Sequence, residues 1–189
     1  MTGWIVLGVL VFLLAALVIY VIMIYNGFVA LKNNIERNWS NIDVLLKQRY
    51  DELPKLIKVC EGYMQHEQKT LEAVIKARSM VNQAQTDEQK VQAQNMLTDT
   101  LKSLFMVVER YPDLKADKSF QQLGYRITEL EDQIADRREF LNESVNIYNI
   151  RVEQFPDVIV ASFFSFAKRT LWQIDPHPRQ DVKVDFEHT

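Results

Sequence analysis

His66 and Glu67 stand side by side, as they do at the start of a zinc-protease helix motif. That motif needs a second His four residues after the first, so that two imidazoles meet one metal from successive turns. Thr70 occupies the place, and Gly62 and Tyr63 lie one turn the other way, so no ligand set is completed. A second cluster, Glu129, Glu131, Asp132 and Asp136 followed by Arg137 and Arg138, supplies the paired carboxylates that acid–base chemistry would use. On a long helix such a run is expected to be a solvated charged face. Cys60 is the only cysteine, which excludes an internal disulfide and a cysteine-rich zinc site and suits a reducing compartment. The expectation is a protein without catalytic residues, metal or cofactor.

The elements that would carry these groups are helices. The chain has 189 residues with only five Gly and five Pro, is 48% hydrophobic and 25% charged, and carries a net charge of -3. Such a composition fits long unbroken helices in one soluble domain beside an anchor, and lacks the basic stripe that nucleic-acid binding needs.

Trp4 to Tyr25 contains no charged residue. As a helix it covers about 33 Å, enough for a hydrocarbon core of roughly 30 Å. Trp4 and Tyr25 then mark the two membrane interfaces. A cleaved leader would need a basic start and a small-residue cleavage site, and Met1-Thr2-Gly3 and Tyr25-Asn26-Gly27-Phe28 offer neither, so the segment is expected to stay as an anchor. Lys32, Arg37, Lys47 and Arg49 follow the span and no basic residue precedes it. The positive-inside rule then places the N-terminus outside and the rest in the cytoplasm, at the cell's inner membrane.

Beyond the anchor, apolar residues recur every three or four positions. Leu31, Ile35, Trp39, Ile42, Leu46, Tyr50 and Leu53 make a first face able to continue the membrane helix, and Pro54 is expected to break it. A second helix would start at Pro54 and carry Ile57, Cys60, Met64, Leu71, Val74 and Val81, with Arg78 interrupting the face. Asp87 would cap a third, with Val91, Leu97, Leu101, Leu104, Val108 and Tyr111, ending at Pro112. Phe120, Leu123, Ile127, Leu130, Ile134, Leu141, Val145, Tyr148, Val152 and Phe155 form a near-heptad fourth helix. The expected fold is all-α: a single transmembrane helix (1–27), a long antiparallel four-helix bundle with coiled-coil-like packing (28–156), and an amphipathic aromatic segment with the C-terminal tail (157–189).

Within that scheme, Arg49 and Arg137 fall in or beside apolar seams and are candidates for a polar layer that fixes register; the competing expectation is an Arg snorkelling at a helix edge. Asp43 with Lys47 and Asp51 with Lys55 have i,i+4 ion-pair spacing. Asn38-Trp39-Ser40 and Asn142-Glu143-Ser144 match the glycosylation pattern but fall inside expected cytoplasmic helices. Val158 to Trp172 is too short and too charged to span. Its Phe163, Phe164, Phe166, Lys168, Arg169 and Trp172 are candidates, with Trp4 and Tyr25, for contact with the lipid interface, the bundle's base or a neighbouring subunit.

Four segments carry a specific resemblance: RNWSNIDVLLKQRYDELPKLI (Arg37 to Ile57), GYMQHEQKTLEAVIKAR (Gly62 to Arg78), YPDLKADKSFQQL (Tyr111 to Leu123) and RREFLNESVNIYNIRVEQFP (Arg137 to Pro156). In order and spacing they resemble the LemA family, over Tyr25 to Phe186 including the closing VKVDF. Asp117-Lys118-Ser119 departs from an Asn-rich turn usual there. The resemblance implies an N-terminal anchor before a long antiparallel helical bundle, and no known enzymatic activity. The function expected is a membrane-tethered scaffold or adaptor, self-associating as a cyclic or larger homo-oligomer because anchoring concentrates identical rods in two dimensions. The rivals are an enzyme with a hydrolase-like or metal site on the bundle, and an outward-facing envelope or lipid-binding module.

Overall fold

The computed structural model describes residues 1–172, and all regular structure among them is helical. The elements are α1 (Thr2–Tyr63), α2 (Gln68–Gln83), α3 (Asp87–Val108), α4 (Pro112–Ala116), α5 (Lys118–Glu153) and α6 (Asp157–Phe163). The closing VKVDF, Val182 to Phe186, lies outside the described residues, as does the tail from 173 on.

The apolar segment expected to be the anchor and the helix expected to follow it are one element of 62 residues. Pro54 does not end it. The missing N–H and the ring clash usually cost about 3 kcal/mol or more in a helix interior. Here Pro54 sits on the exposed side, where the carbonyl it frees can reach water, while its neighbours Leu53, Leu56 and Ile57 are buried and hold the helix on both sides of it. The chain turns instead at Met64 to Glu67, so the second helix begins at Gln68 and not at Pro54.

Thr86, not Asp87, caps α3. Its hydroxyl accepts from Gln89 N–H at 3.2 Å, and Gln89 Oε1 accepts from Thr86 N–H at 3.3 Å, a reciprocal capping box. Asp87 is the first helical residue. Asp117 caps α5, accepting from Phe120 N–H at 2.9 Å, so the Asp-Lys-Ser sequence supplies the cap that an Asn-rich turn would.

Two apolar clusters succeed one another along the rod. The anchor-distal one joins Leu53, Leu56, Cys60 and Met64 of α1 to Leu71, Val74 and Ala77 of α2, Leu97, Leu101 and Leu104 of α3, Leu114, and Phe120 and Ile127 of α5. The anchor-proximal one joins Ile24, Phe28, Ile35, Ile42 and Leu46 of α1 to Ile134, Leu141, Val145 and Tyr148 of α5, Val160 and Ala161 of α6, and Trp172. Contacts between α1 and α5 run in opposite numerical order: Phe28 meets Tyr148, Asn38 meets Ser144, Arg49 meets Glu131 and Tyr63 meets Asp117.

Arg78, the interruption in the α2 face, lies 4.0 Å above the Tyr50 ring, whose hydroxyl accepts from Asn82 at 2.7 Å. Phe155 departs from the heptad expectation. Because α5 stops at Glu153, a turn carries Phe155 away from the seam and leaves it exposed.

Candidate functional site

Where α3 meets α1 and α5, a buried polar layer interrupts the apolar core. Arg49, 1% exposed, donates through Nη1 to Thr98 Oγ1 at 2.9 Å and to Glu131 Oε1, and through Nη2 to Gln94 Oε1. Thr98 Oγ1 in turn donates to Glu131 Oε2 at 2.9 Å. One guanidinium thus fixes α1, α3 and α5 in a single mutual register. A helix slipped by one turn would leave charged groups buried without partners, which is how a polar layer specifies packing. Arg49 is therefore enclosed, with no snorkelling path to solvent.

Arg137 is not in this layer. It is exposed, and Arg138, four residues after Ile134, is the half-buried one. Its Nη1 donates to Asn95 Oδ1 at 3.3 Å and its guanidinium stands 5.6 Å from the Trp172 ring. The seam advances here by four residues where the count from the sequence takes three. Burial presses the Arg138 pKa below the usual guanidinium range, Glu131 opposes that, and Arg49 adds to it.

Residues 164–172 leave α6 and return along α5 as a strap without helix. Two asparagines one heptad apart hold it by its backbone. Asn149 Oδ1 accepts from Arg169 N–H at 2.9 Å while its Nδ2 donates to Arg169 C=O at 2.8 Å. Asn142 treats Trp172 the same way, at 2.8 and 3.0 Å. The spacings match: seven helical residues and three extended ones both span about 10 Å. Asn142 and Asn38, which donates to Ser144 Oγ at 2.8 Å, are thus engaged in packing, and glycosylation at either would break these contacts.

The strap's rings lock onto α1. Phe166 stacks on Phe28 with centroids 4.8 Å apart, and Trp172 stacks on Trp39 at 5.0 Å while its indole N–H donates to Asn95 Oδ1 at 3.2 Å. Beside this stack opens a groove of about 400 Å³, with Val91 and Asn95 on one side and Lys168 to Trp172 on the other. Of the aromatic candidates, Phe166 and Trp172 therefore pack inward, whereas Phe163 is exposed and Phe164 partly so, against Tyr25 at 4.7 Å. Lys168 pairs with Glu153, and Arg169 with Glu36 at 3.5 Å. Trp4 is exposed near the start of α1, and Tyr25 lies where the apolar run ends.

The groups with chemical potential are dispersed. His66 is exposed in the turn after α1, and Glu67 accepts from Arg110 at 3.0 Å and from the Tyr111 hydroxyl at 3.3 Å. Glu131 faces inward to Arg49, while Asp132 and Asp136 face solvent. Cys60 is fully buried, and burial with Glu61 nearby pushes its thiol up to about 12, so thiolate is scarce at neutral pH. Among the described residues, no three His, Cys, Asp or Glu side chains are grouped to hold a metal. The helix-face ion pairs differ from those expected: Lys47 pairs with Asp51 at 3.4 Å and Lys55 with Glu52 at 2.9 Å.

Beyond Arg49, the sequence holds further signals for the polar layer and signals for the clamp. Gln94 and Asn95 occupy otherwise apolar positions of α3, and Asn142 and Asn149 are spaced by one heptad on α5.

The LemA family model matches residues 38–186. Magnetosome protein MamQ 2 of Paramagnetospirillum magneticum is 31% identical over 78 residues, covering 41% of this chain and 29% of that protein. Protein LemA of Metamycoplasma hominis is 26% identical over 152 residues, covering 80% of this chain and 69% of that protein. Magnetosome protein MamQ of Magnetospirillum gryphiswaldense is 21% identical over 188 residues, with 86% and 69% covered. The chain spans less than a third of the length of the MamQ 2 protein it matches.

Proposed function

The chain belongs to the LemA family, and from that premise we propose that it is a non-catalytic, membrane-tethered scaffold: an antiparallel helical bundle held at the inner membrane by the first turns of α1. One observation carries the reading. A single unbroken helix runs from an apolar segment that, as far as Tyr20, no described residue covers into the packed frame of the domain. A stretch with apolar side chains on all sides is stable when surrounded by lipid, and with no loop between span and bundle the rod is held at a set angle and height.

The relatives' names specify no reaction, and the enclosed Arg49 layer does the work of alignment, which suits a rod that presents constant faces to partners. Phe140, Ile147 and Ile150 on the outer side of α5 are exposed apolar side chains on which identical, parallel-anchored rods would meet as homo-oligomers. The basic residues that follow the span support a cytoplasmic bundle with the N-terminus outside, by the positive-inside rule.

A reporter fused after Phe186 tests this directly. A reporter active only in the cytoplasm is expected, and one active only outside would favour an externally oriented module. Self-association is read separately by mass photometry of detergent-solubilised protein, where a monomer at every concentration would remove the oligomer.

A further inference from the structure

α6 packs beside the last turns of the apolar run. Val160 and Ala161 share a cluster with Val21, Ile24 and Phe28, and Phe164 lies against Tyr25 at 4.7 Å. Val21 is four residues before the end of the run, about 6 Å along the helix axis. With a run of about 33 Å crossing a core of roughly 30 Å, whatever is fixed beside Val21 to Tyr25 is fixed at the hydrocarbon boundary. The side of α6 turned away from the bundle is apolar: Ile159 is 61% exposed and Phe163, one turn on, 80%, with Phe155 of the preceding turn at 75%.

We propose that Phe155, Ile159 and Phe163 form a second membrane contact, inserting into the leaflet beside the anchor so that the bundle stands on the bilayer at two points. The inference rests on α1 being the tether. It commits to lipid because the Phe163 ring lies 5.0 Å from that of Phe164, which meets Tyr25 at the end of the apolar run, and Ile159 stands one turn before Phe163 on α6.

Its chemistry is apolar insertion, not pairing with head groups. The cations around it hold carboxylates of the same chain: Arg151 with Asp157 at 2.6 Å, Lys168 with Glu153, and Arg169 with Glu36. Gly27 permits the first of these arrangements, since a Cβ there would stand 2.5 Å from Arg151 Nη1. Insertion is therefore expected in neutral lipid, unlike contacts made by free basic side chains.

The test uses full-length protein, one copy per nanodisc of neutral phosphatidylcholine, with an environment-sensitive fluorophore on a single introduced cysteine. Cys60, buried and with a raised pKa, need not be removed. Ile159→Cys and Phe163→Cys are compared with Phe12→Cys in the span and with exposed Tyr125→Cys far along the bundle. The expected result is blue-shifted emission at 159 and 163 that is quenched by lipids carrying a nitroxide near the head group, deep quenching at 12, and no quenching at 125. Probes at 159 and 163 behaving like the one at 125 while 12 is quenched would overturn the second contact and leave the tether intact. Quenching at 159 and 163 only with anionic lipid would overturn apolar insertion. An unquenched probe at 12 would overturn the tether and this inference with it.

Discussion

Asn142 grips the backbone of Trp172 on both sides of its Cα, accepting from its N–H at 2.8 Å and donating to its C=O at 3.0 Å. This relation, repeated by Asn149 on Arg169, fastens a stretch of chain that forms no helix of its own. Replacing Asn142 with Ala removes two hydrogen bonds worth about 1 kcal/mol each, which should raise the open population of the strap roughly thirtyfold. Limited trypsin digestion followed by mass spectrometry is expected to show correspondingly faster cleavage after Lys168 and Arg169. An unchanged rate would mean that ring stacking alone holds the strap.

Arg49 is buried and bonded to three side chains on two other helices. Arg49→Met leaves the Glu131 carboxylate and the Gln94 and Thr98 side chains without their partner, and should cost about 3–5 kcal/mol. Adding Glu131→Leu removes the stranded charge and is expected to restore much of the loss. Thermal melts of the two single variants and the double, in detergent, give the coupling directly. Strictly additive losses would mean that the layer is not one unit.

Asp117 gives stability a pH dependence. The N–H of Phe120 holds its carboxyl below the usual carboxylate range, with the Tyr63 hydroxyl, 3.1 Å away, adding to the effect. A depressed folded-state value means that the contribution is present in full above the unfolded value of about 3.9 and is lost as pH falls through the lower folded value. Melting temperature is therefore expected to fall on acidification below about pH 4. Asp117→Ala should melt lower at neutral pH and lose less on acidification. An identical acid profile would assign that dependence elsewhere.

Cys60 should resist alkylation. With its side chain enclosed and its thiol pushed up to about 12, maleimide at neutral pH is expected to react only after denaturation. Rapid labelling in native membranes would show that the anchor-distal core opens readily.

Sequence periodicity revealed what periodicity controls. The apolar run and the near-heptad of α5 could be read because each repeats one rule for many turns, and Ile127, Ile134, Leu141 and Val145 are buried as that rule requires. Single-residue punctuation was less legible. Pro54 looked like a stop, but a Pro on the solvent side of a helix packed on its other side bends the helix without ending it. The real turn, Met64 to Glu67, contains neither Gly nor Pro. Thr86 and Gln89 have capping-box spacing, but neighbouring Asp87 is also a good cap, so residue type alone does not choose between them. Arg137 and Arg138 differ by one step of a helix, and only packing decides which enters the seam. The strap has no period at all. Its position follows from two asparagine amides meeting backbone groups, a relation that residue spacing alone does not disclose.

The proposed scaffold role requires α1 to remain in the bilayer as a permanent tether. Membranes from cells making the full-length chain, washed with alkaline carbonate and followed by intact mass, test this most directly. The expected result is protein retained in the pellet with residues 1–27 still attached. Release into the wash, or a mature chain that starts after Gly27, would contradict it.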